Sequence, residues 1–135
     1  EGWAENQRQA CRDLSACYLR QGKQAAAFAA LARGLRLGPP QAELCCDLGA
    51  FFFRQRDYPA AAFWYEAALT RPRQDQSGGF VSPDCYGYLP CIQLCVCYYH
   101  MGNLALSREF NRRAGAYKPD DPAYLYNERF FRGQQ

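Results

Sequence analysis

Residues 45–72 read CCDLGAFFFRQRDYPAAAFWYEAALTRP, and their pattern predicts two packed helices. Small and aromatic residues recur three or four positions apart in each half: Cys45, Leu48, Gly49 and Phe52, then Ala61, Tyr65 and Ala68. Residues at this spacing share one face of an α-helix, so each half has an apolar stripe that can pack against the other. Asp57 lies between the two halves and is a suitable N-cap for the second helix.

The same pattern occurs at two other places in the chain. Thirty-four residues earlier it consists of Cys11, Leu14, Ser15, Tyr18, Ala27, Leu31 and Gly34. Forty-six residues later it consists of Cys91, Leu94, Cys95, Tyr98, Ser107, Asn111 and Ala114. A period of 34 residues with these residue types resembles the tetratricopeptide (TPR) repeat, in which each unit is a pair of antiparallel helices. The second offset exceeds 34 by 12, which predicts a 12-residue insertion at one repeat junction.

We therefore expect an all-α fold of three stacked TPR helix-turn-helix repeats, a right-handed α-solenoid with a C-terminal capping helix. The predicted repeats cover about 8–40, 42–73 and 88–120 of a single domain, 1–135, with an insertion loop at 73–84 and the capping helix at 122–132. The predicted helices are 4–20, 24–37, 41–55, 58–71, 89–101, 103–117 and 122–132. The sequence leaves open whether the fifth helix starts at Asp84 or only at Pro90.

Several single residues predict how the helices begin, end and pack. Gly22 and Gly102 can end the first helix of their repeats, because glycine adopts the left-handed cap conformation without strain. The middle repeat departs from the pattern with Arg56 at this place. Asp121, which is followed by a proline, is a suitable N-cap for the last helix. Asn111 stands where the pattern has an aromatic residue, so we expect the third repeat to pack less tightly.

The composition limits which partners and which cellular compartment are expected. The formal charge is +3 and the charged residues are scattered, so nucleic acid is not an expected partner. The longest nearly unbroken apolar stretch, 25–32, is too short to cross a bilayer, so a membrane is not expected either. The first residues are polar and do not form a signal peptide, which favours a cytoplasmic location. Because the chain does not begin with methionine, we expect it to be a piece of a longer protein.

The eight cysteines are expected to be packing residues. Cys11, Cys45 and Cys91 occupy the same repeat position, and free cysteine behaves as a small buried hydrophobe. A metal or redox site is the alternative, and Cys91 and Cys95 are the pair four residues apart that could share an ion. No histidine lies at a matching spacing, so we expect free thiols and no bound metal or cofactor.

No catalytic residue is predicted. His100, the single histidine, falls near the end of the fifth helix, where the helix dipole favours a cation. The adjacent carboxylates Asp120 and Asp121 lie between two helices and are better explained by capping than by acid–base catalysis. The chain also lacks G-x-S-x-G, H-E-x-x-H and a glycine-rich phosphate loop. We therefore expect that this chain is not an enzyme in its own right.

A groove on the concave face is the expected binding site, because stacked repeats bind their partners there. Helical spacing predicts that its main residues are Arg12, Leu19, Phe53, Leu89, Ile92, Val96 and Tyr99, with Gln9, Ala16, Glu43, Cys46 and Ala50 also on this face. TPR domains that clamp a terminal carboxylate use Lys and Asn at such places, and this groove lacks that set. Its later two-thirds is apolar, which favours docking of a protein or peptide. Alternatively, the loop 73–84 or a missing part of the parent protein covers it.

Two stretches carry a more particular resemblance. Residues 84–98 read DCYGYLPCIQLCVCY and residues 118–127 read KPDDPAYLYN. They resemble the C-terminal TPR region of bacterial family-2 glycosyltransferases, whose relatives include the S-glycosyltransferases of glycopeptide bacteriocins. The resemblance covers about 41–132 and implies an upstream GT-A catalytic domain, which would hold the D-x-D motif that binds metal and sugar nucleotide. No D-x-D occurs in this chain, so the resemblance assigns it no catalytic residue.

These observations support two functions. In the first, the chain is the non-catalytic accessory domain of a glycosyltransferase, and its groove meets an acceptor protein or the parent's own catalytic domain, or its surface forms a homodimer. In the second, it is a free-standing TPR adaptor that binds a partner polypeptide in the groove. The residues upstream of Glu1 would distinguish the two.

Overall fold

The computed structural model describes residues 2–73 and 81–133 of the chain. Within these ranges the chain is all-helical and contains no β-strand, which confirms the predicted all-α class. The α-helices in chain order are α1 (Gly2–Arg20), α2 (Gln24–Leu35), α3 (Ala42–Arg54), α4 (Tyr58–Leu69), α5 (Tyr88–His100), α6 (Leu104–Tyr117) and α7 (Pro122–Gly133). A short 3₁₀ helix, Pro83–Tyr86, precedes α5.

The observed helices begin and end within two residues of the predicted ones. The helix α5 starts at Tyr88, between the two predicted alternatives Asp84 and Pro90, because the 3₁₀ helix comes first. Residues 74–80 of the predicted insertion loop lie outside the described residues. The last two residues of that loop, Pro83 and Asp84, belong to the 3₁₀ helix, so the predicted boundary of the loop is corrected to exclude them.

Helices that follow one another in the chain pack together as pairs: α1 with α2, α3 with α4, and α5 with α6. The pairs are joined in series, because α2 contacts α3, α4 contacts α5, and α7 then packs on α6. One buried cluster, formed by Leu31, Leu44, Leu48 and Phe51, joins the first two pairs. A larger cluster extends from α3 through α4, α5 and α6 to Phe131 of α7. The core therefore runs along the series of helices.

Close helix packing requires glycine at two places. A Cβ atom on Gly49 would lie 2.8 Å from ring atoms of Tyr65, so α3 and α4 can approach only because this residue has no side chain. A Cβ atom on Gly115 would lie 2.2 Å from the ring of Tyr124. The close approach of α6 and α7 therefore also depends on a residue without a side chain. Three small residues of the repeat pattern are also buried: Ala61, Ala68 and Ala114.

The first helix of each pair ends in the same way. The residue that follows has a positive φ in each case: 74° at Gly22, 60° at Arg56 and 80° at Gly102. The next backbone N–H then donates to a carbonyl five residues earlier: Lys23 to Tyr18, Asp57 to Phe52, and Asn103 to Tyr98. The predicted glycine ends are confirmed. Arg56 adopts the same left-handed conformation, although a side chain disfavours it.

Side-chain caps begin three of the helices. The Asp57 carboxylate accepts a hydrogen bond from the Ala60 N–H at 3.2 Å, and Asp121 accepts one from the Tyr124 N–H at 3.0 Å. Both predicted N-caps are therefore confirmed. Asn103 caps α6 in the same way, accepting from the backbone of the third residue after it at 3.1 Å.

The prediction of loose packing around Asn111 is wrong. Its side chain is 0% exposed. Its amide donates to the Glu128 carboxylate at 2.7 Å and to the Tyr124 carbonyl at 3.3 Å, and its oxygen accepts from the Asn127 amide at 3.0 Å. A phenylalanine at this position could make none of these bonds. The departure from the repeat pattern thus attaches α7 to α6 through hydrogen bonds.

Candidate binding surface

The structure divides the predicted groove into an open cleft, a covered part on α3 and a separate cavity beside α7. Arg12 and Leu19 lie in the open cleft, which is bounded mainly by α1 and α3 and encloses about 480 Å³. We call it the α1–α3 cleft, and its lining residues include Gln9, Arg12, Asp13, Ala16, Leu19, Arg20, Asp47, Ala50 and Arg54. Val96 and Tyr99 lie at a separate cavity beside α7, and the two sets share no lining residue.

An ion pair crosses the α1–α3 cleft. The Arg12 guanidinium donates to both oxygens of Asp47, with Nε–Oδ2 at 2.5 Å and Nη2–Oδ1 at 3.3 Å. Both side chains are only partly exposed, at 20% for Arg12 and 31% for Asp47. Burial lowers the pKa of the Arg12 guanidinium, but its hydrogen bonds to Asp47 and the Asp47 charge outweigh that effect and raise the pKa overall. Arg12 is therefore a fixed wall of the cleft and is held in place by α3.

Residues 81–87 cover the α3 part of the predicted groove. Glu43, which is 2% exposed, accepts hydrogen bonds from the Ser82 N–H at 2.9 Å and the Tyr86 hydroxyl at 2.8 Å. The Cys46 thiol donates to the Cys85 carbonyl at 3.6 Å. Burial, followed by the hydrogen bond to Glu43, raises the pKa of Tyr86, so the phenol stays protonated. The 3₁₀ helix and its neighbours thus occupy this face of α3.

The last helix covers the α5 part of the predicted groove. The ring of Phe130 on α7 packs edge-on against Tyr99 at a centroid distance of 5.4 Å. Val96 and Tyr99 line a cavity of about 280 Å³ together with Tyr126 and Phe130 of α7. Tyr99 is still 45% exposed and Tyr126 is 63% exposed. An aromatic patch and a cavity therefore remain at this end, beside the contact between α5 and α7.

The three other predicted groove residues line neither cavity. Ile92 is 7% exposed and belongs to the core, and Leu89 packs partly buried against that core. Phe53 packs edge-on against Tyr58 at 5.5 Å. Tyr58 in turn stacks on His100, with 4.3 Å between centroids and 12° between planes. The sequence predicted His100 only as a charge near a helix end, and nothing in the repeat pattern indicates that it bridges α4 and α5.

The cysteines do not form a cluster that could bind a metal. All eight are free thiols; six are buried, while Cys11 and Cys17 are half-buried, which confirms that most thiols are packing residues. Burial raises the pKa of Cys45 to about 11 and that of Cys97 to about 12. Within residues 2–73 and 81–133, no three His, Cys, Asp or Glu side chains lie close enough to share a metal ion. Cys95, one of the alternative metal pair, instead lies 3.5 Å from the Ser107 hydroxyl.

Comparison with protein-family models and with curated proteins gives no match to this chain. The resemblance to glycosyltransferases therefore rests on the residues of 84–98 and 118–127 alone. Across the described part of the chain, none of the helices combines the length and the apolar character needed to cross a membrane.

Proposed function

We propose that this chain is a non-catalytic scaffold of TPR type that binds a polypeptide segment in the α1–α3 cleft. One observation carries the proposal. The α1–α3 cleft encloses about 480 Å³, whereas residues 81–87 occupy the α3 part of the same predicted groove and the cavity that remains beside α7 encloses only about 280 Å³. A partner segment can therefore enter at the first helix pair without displacing part of the chain.

The lining of the cleft indicates the kind of segment that it fits. Ala16, Leu19 and Ala50 form an apolar floor with room above it, because two of the three are alanines. Arg20 and Arg54 stand at the rim, and both are exposed. We therefore expect a segment that places small apolar side chains on the alanines and an acidic side chain near these arginines.

The TPR assignment is supported by the repetition of local geometry. The three helix pairs have equivalent ends, at Gly22, Arg56 and Gly102, and they pack in series. A stack of this kind binds along the surface formed by the first helices of its repeats, where the α1–α3 cleft lies.

The accessory role in a glycosyltransferase is the specific form of this proposal, and the parent's own catalytic domain is then one source of the bound segment. The two stretches that resemble such enzymes contact each other. Lys118 pairs with Asp84 at 2.7 Å, and the Tyr88 hydroxyl donates to Asp121 at 2.6 Å. These residues hold the start of α7 against the start of α5, which favours a scaffolding role for them.

Site-specific photo-crosslinking tests the proposal. A photoreactive phenylalanine analogue is placed at Ala16, an exposed α1 residue that lines the cleft, or at the control Ala29, an exposed residue of α2 outside it. In the cell that makes the full-length parent, we expect a defined polypeptide adduct from position 16 and none from position 29. Introducing Ala50→Trp, which fills the cleft, should abolish that adduct.

Mass spectrometry of the adduct identifies the occupant. A peptide from the catalytic domain supports the accessory role, and one from another protein supports the free-standing adaptor. Equal labelling from positions 16 and 29, or an adduct that survives Ala50→Trp, would contradict the proposal.

A further inference from the structure

A further cavity lies where three elements meet: the first half of α1, the turn between α2 and α3, and the residues after α4. It encloses about 190 Å³ and is lined by Arg8, Pro39, Pro40, Gln41, Arg71 and Pro72. We call it the arginine cavity. It shares no residue with the α1–α3 cleft, so a ligand bound there does not depend on the proposed function.

The cavity holds two unpaired buried donors. Among the described residues, two buried side-chain nitrogen or oxygen atoms lack a hydrogen-bond partner, and they are the Nε atoms of Arg8 and Arg71. Both residues line this one cavity. Buried polar groups are almost always hydrogen-bonded, so two orphaned donors at one place indicate a missing acceptor.

The charge around the cavity indicates that this acceptor is an anion. The lining contains two guanidinium groups and no carboxylate. Glu5, which does not line the cavity, accepts from Arg8 Nη1 at 2.7 Å and from the Gln41 amide at 2.5 Å. The side chains that line the cavity therefore carry a net positive charge.

The walls of the cavity limit what it can bind. Prolines supply half of its lining residues, and a proline has no backbone N–H to donate. A bound ligand would therefore be recognised by the two guanidinium groups and by Gln41. Gln41 precedes α3, and its side-chain amide donates to Glu5 rather than capping that helix. The volume is below the roughly 300–1,000 Å³ of sites for drug-sized ligands, so it suits a small ion.

We propose that the arginine cavity binds a single tetrahedral oxoanion, of which inorganic phosphate is the probe. The planar guanidinium group of Arg71 matches phosphate oxygens, and the Arg8 Nε can add a further donor. Arg8 donates through Nη1 to Glu5 and through Nη2 to the Leu37 carbonyl at 2.9 Å, so its remaining donor is held in position. The bound ion would join α1, the α2–α3 turn and the end of α4, and would stabilise the folded state by linkage.

Phosphate binding is measured on the full chain by thermal unfolding and by ³¹P NMR line broadening. Sodium phosphate is compared with sodium chloride at equal ionic strength and pH. We expect the unfolding temperature to rise with phosphate beyond the chloride effect, and the phosphate resonance to broaden. Equal effects of the two salts, with no broadening, would overturn the proposal.

Two variants and a control locate the site. Arg71→Gln should weaken phosphate binding at least tenfold, whereas Arg33→Gln, at an exposed position of α2 outside the cavity, should leave it unchanged. Arg71→Lys keeps the charge without the fork and should weaken binding several-fold. If Arg71→Gln does not fold, Arg71→Lys decides the question. Wild-type affinity in whichever of these variants folds would show that the ion binds elsewhere.

Discussion

One backbone conformation recurs at the ends of α1, α3 and α5, and in the middle copy arginine takes the place of glycine. A left-handed conformation costs a residue with a side chain about 1–2 kcal/mol. Glycine removes that cost. It also gives the unfolded chain more conformational freedom, which lowers the free energy of unfolding by about 0.4–1 kcal/mol. The difference favours glycine at position 56, where φ is 60°.

We therefore predict that Arg56→Gly raises the free energy of unfolding by up to about 1 kcal/mol, measured by urea denaturation. The matched control is Gln55→Gly. Gln55 has a φ of −86°, so glycine brings only its disadvantage there and should lower stability. A loss of stability with Arg56→Gly as large as that with Gln55→Gly would contradict the explanation.

Residues that act within one turn of helix could be predicted from the sequence, and those whose partners lie on another helix could not. Asp57 and Asp121 cap the helices that follow them, as their position next to an apolar stripe predicts. The partners of Asn111 lie 13 to 17 residues away on α7. Whether these partners come within hydrogen-bonding distance of Asn111 depends on the angle at which α7 packs against α6. No local sequence pattern gives that angle. For the same reason, the stacking of Tyr58 on His100 could not be predicted from the sequence.

At the scale of an element, α7 is joined to α5 at its first turn. The Asp121 carboxylate accepts from the Tyr88 hydroxyl at 2.6 Å and from the Tyr124 N–H at 3.0 Å. The hydrogen bond from Tyr88, followed by those from the backbone of α7, lowers the pKa of Asp121 from its ordinary value of 3.8. A carboxyl group with a lowered folded-state pKa stabilises the fold above 3.8. This stabilisation is lost as the pH falls through the folded-state pKa.

We predict that Asp121→Asn lowers stability at pH 6 and that its difference from the wild type disappears in acid, below the ordinary pKa of 3.8. Asparagine still caps a helix, so the variant removes mainly the charge. The adjacent Asp120→Asn is the control, because Asp120 is exposed and is not the N-cap of α7. Denaturation curves from pH 3 to pH 6 measure the effect. A difference that stays constant with pH would show that the charge of Asp121 does not stabilise α7.

The insertion between α4 and α5 shows how far an element could be predicted. Its Gly, Ser and Pro content separates the two helices correctly, and α5 starts close to where its apolar stripe begins. The sequence did not predict the 3₁₀ helix at residues 83–86 or the hydrogen bond from Tyr86 to Glu43. The bond joins residues 43 positions apart, which a local propensity cannot anticipate.

At the scale of the whole molecule, helical spacing identifies one face but not what covers it. Arg12 and Val96 both belong to the predicted groove, yet the first lies in the α1–α3 cleft and the second in a separate cavity that α7 helps to form. The segment that covers α3 is held by individual contacts, such as the hydrogen bond from the Ser82 N–H to Glu43. The repeat pattern does not specify which residues make these contacts. The series of helices itself could be predicted, because the largest interfaces join neighbours in the chain.

Because each helix pair packs on its neighbours, the two ends of the molecule are expected to open separately. Leu94 on α5 is 0% exposed, and Leu94→Ala should cost about 2–5 kcal/mol. The buried thiols report where the opening occurs, since a buried thiol reacts only when exposed. We predict that Leu94→Ala accelerates alkylation of Cys91 and Cys97 on α5 more than that of Cys45 on α3.

Pulsed alkylation with peptide-level mass spectrometry measures each thiol separately. Leu104→Ala is the matched control, because Leu104 is 42% exposed and its truncation leaves no cavity, so no thiol rate should change appreciably. The reciprocal variant is Leu48→Ala on α3, where the side chain is 1% exposed, and it should accelerate Cys45 more than Cys97. Equal acceleration of all three thiols by both buried-leucine variants would mean that the chain unfolds as one cooperative unit. In that case the α5–α7 end could not open while the α1–α3 cleft stays folded.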